Sequence, residues 1–90
     1  MAERTTGGLA ILGLCPGEKV RWRHAAGGRW HTGRVTHRER DGSVALTDAR
    51  GLARSLPVER LEVVCTGPRG GARWEPLGAR AARTEQLRLL

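Results

Sequence analysis

The sequence contains no phenylalanine and no tyrosine, so three tryptophans supply all of its aromatic surface. Lysine is almost absent as well, since Lys19 stands beside fifteen arginines. No apolar run approaches the roughly 20 residues that a membrane-spanning helix needs. The apolar stretch 9–14 is too short for the core of a secretory signal, and Leu14 occupies the place where a lipoprotein signal carries a small residue before its cysteine. We therefore expect a cytoplasmic protein that does not associate with membranes.

Cysteine is scarce too, and its placement argues against a metal or redox site. Cys15 and Cys65 form no Cys-x-x-Cys pair, which removes the usual signature of a zinc ribbon or a thioredoxin-type centre. We expect both to be reduced, structural thiols, while their places at the two ends of the strand region leave a disulfide open. The spacing of His24, His31 and His37 matches no standard zinc pattern. We expect no metal and no cofactor.

Length and charge limit the kind of protein further. A chain of 90 residues forms one domain with a small core. Its formal net charge of +7 predicts attraction to nucleic acid or to an acidic protein surface. The excess of arginine has two explanations, a GC-rich coding sequence or the suitability of the planar guanidinium for phosphate and carboxylate, and composition alone favours the first.

A succession of short strand patterns fills residues 17–64. Residues 19–23 alternate charged and apolar side chains, which is typical of a half-buried strand. The Asp41–Gly42 pair indicates a hairpin, and a second tight turn is expected over 49–51. Pro57 ends the fourth strand, and residues 58–60 suit a single helical turn. Gly33 lies inside the second strand, where it predicts the bend or bulge that a small barrel needs.

These patterns divide the chain into three parts. We expect a disordered N-terminus over residues 1–8, a barrel over 9–65, and a flexible tail rich in glycine and arginine over 66–90. The apolar stretch 9–14 needs burial, either as an added edge strand or packed across the open end of the barrel. The tail contains Trp74 and has helix-forming residues near its end that allow a short C-terminal helix.

The segments GEKVRWRH, GRWHTGRV, DGSVALTDARG and LPVERLEVV, in this order, resemble the SH3-like barrel superfamily and, within it, the small Tudor-like domains. The resemblance implies an all-β fold, a five-stranded, strongly bent antiparallel barrel with one helical turn before its last strand. It also implies a binding module, because members bind methylated lysine or arginine peptides, nucleic acid, or RNA polymerase and other protein surfaces. The fold alone does not choose among these partners.

The distribution of cations favours nucleic acid. Because the first two strands are neighbours, we expect one patch on their outward faces, made of Lys19, Arg21, Arg23, Arg34 and Arg38. Trp30 is expected beside this patch, where its ring is positioned to stack on a base or sugar. We therefore predict association with nucleic acid, mostly through phosphate contacts and with little dependence on base sequence.

Two other binding functions remain open. In the first, the barrel and tail form an adaptor that docks on an acidic surface of a larger complex, such as transcription or repair machinery. Trp74 with Arg73 is the candidate anchor for such a partner, although Trp74 also suits a fold-back that covers one end of the barrel. The second and more distant function is recognition of methylated lysine or arginine in a partial cage of Trp22 and Trp30. The alternation of Trp22 with Val20 favours a core position for Trp22 instead.

Catalysis has weaker support than binding. The segments GRVTHR and LPVERLEVV also look like the plasmid-borne SH3-barrel dihydrofolate reductases, which carry a Val-Gln-Ile-Tyr run before the proline. Residues 53–56 occupy that place here and lack both the glutamine and the tyrosine, so the implied folate and cofactor contacts are missing. No carboxylate pair or nucleophile beside a base stands out elsewhere. We expect no catalytic residues, and the oligomeric state has no sequence signal.

Overall fold

The computed structural model describes residues 8–88, and every structural statement below refers to that part of the chain. It contains six strands: β1 (Lys19–Trp22), β2 (His31–Arg38), β3 (Val44–Asp48), β4 (Ala53–Leu56), β5 (Glu62–Thr66) and β6 (Ala72–Pro76). A 3₁₀ helix (Val58–Arg60) precedes β5, and helix α1 (Leu77–Arg88) follows β6. The strands form one sheet in the order β4-β3-β2-β1-β5-β6, and each neighbouring pair is antiparallel.

The predicted antiparallel β architecture is confirmed, but two of its details are wrong. The sheet has six strands instead of five, and it is not closed, because β4 and β6 are its two outer strands. The sixth strand comes from a segment predicted to belong to the flexible tail. There the Gly67 N–H donates to the Gly71 carbonyl at 2.6 Å, and this turn returns the chain along β5. The helix considered for the C-terminus is present as α1. The predicted disordered N-terminus lies, except for Gly8, outside the described residues.

Glycine and a bulge shape the long strand β2. Gly33 lies opposite Val20 of β1 and Asp48 of β3. A Cβ at Gly33 would come within 2.6 Å of the Thr47 carbonyl oxygen, so only glycine allows β2 and β3 to approach this closely. The bulge expected near Gly33 lies further along the strand, since the register with β3 shifts between Val35 and His37.

One face of the sheet carries the core. Strand residues that point to this face include Val20, Trp22, Val35, Val44, Leu46 and Val63, all at most 1% exposed. The core is covered by the N-terminal segment, which contributes Leu9, Leu12 and Leu14, and by Leu77 at the start of α1. Residues 8–11 form a helical turn, so the apolar stretch 9–14 packs across the sheet and adds no edge strand.

Arg80 of α1 ties the helix to three other segments. Its guanidinium donates to the Gly13 carbonyl at 3.2 Å and forms an ion pair with the Glu18 carboxylate. It also donates to the Val64 carbonyl of β5 at 2.6 Å. The Arg80 side chain is only 16% exposed, so these contacts replace much of its hydration. They hold α1 against the N-terminal segment and against strand β5.

A second ion pair joins α1 to β6. The two carboxylate oxygens of Glu75 accept hydrogen bonds from Arg83 at 2.7 and 2.6 Å, in the bidentate geometry that arginine favours. The Arg83 hydrogen bonds, with smaller contributions from the charges of Arg83 and Arg80, hold the pKa of Glu75 below its ordinary value of 4.5. Glu75 is thus a largely buried carboxylate whose charge is matched.

Within residues 8–88, no helix combines the length and apolar character needed to cross a membrane.

We predict that Arg80→Ala lowers the free energy of unfolding by about 2–3 kcal/mol, because the half-buried Glu18 and Val64 oxygens lose a charged donor. Urea unfolding followed by tryptophan fluorescence measures this change. Arg69→Ala is the control, since Arg69 is exposed in the turn between β5 and β6 and should shift stability by less than about 0.5 kcal/mol. Equal stability of the two variants would show that the Arg80 contacts do not hold the fold.

Candidate nucleic-acid interface

The face of the sheet opposite the core carries a strip of basic and aromatic side chains. Along β1 and β2, Lys19 pairs with Arg34 and Arg21 pairs with Thr32. Glu62 of β5 lies opposite Arg21 on the other side of β1, and Trp74 of β6 lies opposite Val64 of β5. We term this strip the basic face, and it consists of Lys19, Arg21, Arg23, Trp30, Arg34, Glu62 and Trp74.

Arg21 occupies the centre of the basic face. Its Nε and Nη2 atoms both donate to Glu62 Oε1, at 2.9 and 2.8 Å. The guanidinium carbon lies 3.8 Å from the ring centroid of Trp30 and 4.6 Å from that of Trp74. Both distances are within the range of cation–π attraction, and the side chain is only 23% exposed. Arg21 is therefore held by a carboxylate and by two indole rings.

The other cations of the basic face are not paired with a carboxylate of the described residues. Among residues 8–88, no carboxylate lies within ion-pair distance of Lys19, Arg23 or Arg34. The Arg23 guanidinium carbon lies over the Trp30 ring, 4.4 Å from its centroid, and the Lys19 ammonium lies 6.0 Å from the centroid of Trp74. The basic face thus carries four cations and one carboxylate, Glu62, and its own side chains have a net positive charge.

Trp30 has partners that the sequence did not reveal. Its half-buried ring contacts both Arg21 and Arg23, so in the free chain the indole supports two guanidiniums. Stacking engages the flat side of a guanidinium and leaves the N–H groups at its edge free to donate. The arrangement therefore favours phosphate contacts by Arg23, while stacking of Trp30 on a base stays a prediction.

Arg38 does not belong to the basic face, and its expected outward position is corrected. The bulge between Val35 and His37 adds one residue to β2, which turns the residues after it to the opposite side. Arg38 consequently pairs with Val44, whose side chain is fully buried in the core. The Arg38 guanidinium donates to the Gly42 carbonyl at 3.1 Å and to the Gly8 carbonyl at 3.4 Å.

The predicted partial aromatic cage is contradicted. Trp22 is 1% exposed and stacks on His31 with 5.8 Å between ring centroids. Trp22 points to the core, whereas Trp30 lies on the basic face with Arg21. The two rings are on opposite sides of the sheet, so they cannot surround one methylated side chain. The expected core position of Trp22 is confirmed.

Trp74 and Arg73 point to different sides of the chain. Trp74 folds back as part of β6 and packs beside Arg21 and Lys19, where it joins the basic face instead of covering an end of the molecule. Arg73 is exposed and lies opposite Cys65. Because neighbouring residues of a strand alternate, the two do not form a joint anchor. The place of Trp74 was missed because β6 itself was missed.

The thiols and histidines form no metal centre in the described part of the chain. Cys15 is exposed and Cys65 half-buried, both as free thiols. Residues 8–88 contain no group of three or more histidine, cysteine, aspartate or glutamate side chains arranged to hold a metal ion. His24 and His31 do meet, but as two rings in edge contact with 5.1 Å between centroids.

Comparison of the chain with protein-family models, with curated proteins and with solved structures yields no match. The resemblance to SH3-like barrels therefore stays a prediction from the sequence.

We predict that Arg21→Ala lowers the free energy of unfolding by about 1–2 kcal/mol, because it removes a cation–π contact and leaves Glu62 without its partner. Arg34→Ala is a matched control on the same face, since within residues 8–88 the only hydrogen bond of its side chain is a long one to the Gly17 carbonyl at 3.4 Å. Chemical denaturation of both variants measures the difference. A destabilisation by Arg34→Ala as large as that by Arg21→Ala would contradict the central role of Arg21.

Proposed function

We propose that this chain is a non-catalytic nucleic-acid-binding module and that the basic face is the surface through which it contacts phosphate. The observation that carries the proposal is the set of cations Lys19, Arg23 and Arg34, which have no carboxylate partner within residues 8–88 and lie around the anchored Arg21. A solvated surface needs charges of mixed sign, whereas here four cations accompany one carboxylate.

Contact with a tryptophan lowers the entropy that such a cation loses when it binds phosphate. A free arginine side chain loses considerable rotamer entropy when it binds, and contact with an indole ring restricts it beforehand. Arg23 is restricted in this way by Trp30, and the edge of its guanidinium remains available as a planar donor for a phosphate. Trp30 and Trp74 thus act first as supports for charge.

The cations are spaced along the strand direction. Lys19 and Arg34 form one row, Arg21 the next, and Arg23 with Trp30 a third. Alternate residues of a strand are about 6.7 Å apart, so the rows form a regular track that an extended phosphate backbone can follow. Contacts of this kind carry little information on base sequence, and we expect weak sequence preference and strong dependence on salt.

The proposal includes a relation to SH3-like, Tudor-like binding modules. Two features support it: β5 returns to pair with β1, and the 3₁₀ helix at Val58–Arg60 directly precedes β5. Strand β6 and helix α1 would then be additions to such a domain. These additions place Trp74 beside Arg21 and so extend the binding surface.

A protein partner with an acidic surface is the second candidate. Arginine and tryptophan are enriched at the centres of protein interfaces, and the basic face contains three arginines and two half-buried tryptophans. Carboxylates of a partner would meet the same cations. A pull-down that survives nuclease and is abolished by Trp74→Ala would support this adaptor function, whereas a pull-down that nuclease treatment abolishes supports nucleic acid.

The proposed function predicts a steep salt dependence. Neutralising about three phosphates of a duplex gives a log–log slope of affinity against salt near −3. Each of the single variants Arg23→Ala and Arg34→Ala should weaken this slope by about 0.9. Fluorescence anisotropy with a labelled oligonucleotide at several salt concentrations measures it. Arg69→Ala, which removes an exposed charge from the turn between β5 and β6, should keep the wild-type slope. A flat salt response of the wild type would eliminate the proposed function.

A further inference from the structure

A second basic site lies at the end of the sheet where β2 begins. A recess opens there between the first residues of β2 and the turn that joins β3 to β4. Its lining includes Arg29, Trp30, Thr32, Asp48, Arg50 and Arg54. We term it the arginine recess. None of its three arginines was among the residues predicted from the sequence, because a turn far along the chain brings them together.

The single carboxylate of the arginine recess is fully occupied. Asp48 Oδ1 accepts the backbone N–H groups of Arg50 at 2.9 Å and Leu52 at 3.0 Å, and Oδ2 accepts Arg54 Nε at 2.7 Å. These hydrogen bonds, that from Arg54 first, hold the pKa of Asp48 below its ordinary value of 3.8. Asp48 thus fixes the turn and one edge of Arg54, whose outer N–H groups make no hydrogen bond with the part of the chain that the structure describes.

The other two arginines lack partners within the described residues. Arg29 and Arg50 are exposed, and neither guanidinium makes a hydrogen bond or an ion pair with residues 8–88. Three guanidiniums around one recess repel each other unless an anion lies between them. Thr32 adds a hydroxyl that can donate to the same anion. The chemistry of this lining suits a phosphate group better than a carboxylate, since a phosphate accepts from several guanidiniums at once.

We propose that the arginine recess binds a backbone phosphate of the nucleic-acid strand that lies on the basic face. This inference rests on the proposed function and extends it, because Trp30 lines the recess and also contacts Arg21 and Arg23. A strand that follows the rows of the basic face and passes Trp30 arrives at the recess. The contact lengthens the track by at least one phosphate.

The test compares two double variants that remove the same charge. Arg29→Ala with Arg50→Ala removes the unpartnered arginines of the recess and keeps Arg54, which Asp48 needs. Arg40→Ala with Arg69→Ala removes two exposed arginines from turns at the opposite end of the sheet. Binding is measured with a single-stranded oligonucleotide that carries a 5′-hydroxyl, over a range of salt, and urea unfolding verifies that both variants are folded.

We expect the recess variant to bind about tenfold more weakly than the control variant, which corresponds to about 1.4 kcal/mol. Its log–log salt slope should weaken by about 0.7 for each phosphate that the variant no longer binds, as is typical of single strands. Equal affinities of the two variants would overturn the recess as a phosphate site while the basic face still binds. Absence of salt-dependent binding by the wild type would instead overturn the proposed function.

Two further arms identify the source of the phosphate. The Nε–H signals of Arg29 and Arg50 in nuclear magnetic resonance spectra should shift on addition of the 5′-hydroxyl oligonucleotide, at concentrations far below those at which inorganic phosphate shifts them. A recess that requires a 5′-phosphate on the oligonucleotide would contradict a backbone contact. Saturation by inorganic phosphate with no response to the oligonucleotide would assign the recess to a free phosphate group and likewise overturn the proposal.

Discussion

The contact of Arg21 with Glu62 and two tryptophans is the interaction on which the basic face depends. It joins β1 to β5 through the ion pair, and it brings Trp30 and Trp74 together from opposite sides of the strip. Trp30 in turn supports Arg23. Without Arg21 the two rings would lack the cation between them, and Glu62 would face the neighbouring cations directly. The Arg21 guanidinium therefore holds in place side chains that the pairing of the strands alone would not order.

The arginines of this chain differ in whether they are paired with a carboxylate. Some arginines are paired with carboxylates and hold the fold: Arg80 with Glu18, Arg83 with Glu75, and Arg54 with Asp48. A domain with a small core and no phenylalanine or tyrosine has few other means of fastening its outer strands. Among the other arginines described above, Arg21, Arg23 and Arg34 lie on the basic face and Arg29 and Arg50 at the arginine recess, whereas four lie elsewhere: Arg38, Arg40, Arg69 and Arg73.

The sequence predicted the features that depend on local patterns. Alternation in β1 predicted that Val20 and Trp22 are buried, Asp41–Gly42 predicted the hairpin between β2 and β3, and the helical turn at 58–60 was correctly placed. Features set by distant pairing were missed. The glycines of 67–71 are typical of a flexible linker. The residues after them form a strand because they pair with the edge of β5 that β1 leaves free.

The position of the bulge had the largest effect on the predicted site. A bulge at Gly33 was expected, but it lies between Val35 and His37, and one inserted residue reverses every side chain after it. Arg38 is absent from the basic face for this reason. Trp74 belongs to that face because β6 pairs with β5, and the recess arginines lie together because the turn after β3 lies beside the start of β2. Neither grouping follows from local sequence, because both depend on which strands become neighbours.

The three tryptophans offer the most direct test of the account, because each indole N–H gives a separate signal in a nuclear magnetic resonance spectrum. Trp30 and Trp74 lie on the basic face, while Trp22 lies in the core with its Nε1 atom buried. On titration with a single-stranded oligonucleotide, the signals of Trp30 and Trp74 should shift to saturation, that of Trp22 should stay in place, and added salt should reverse the shifts. Unchanged signals of Trp30 and Trp74 would contradict binding through the basic face.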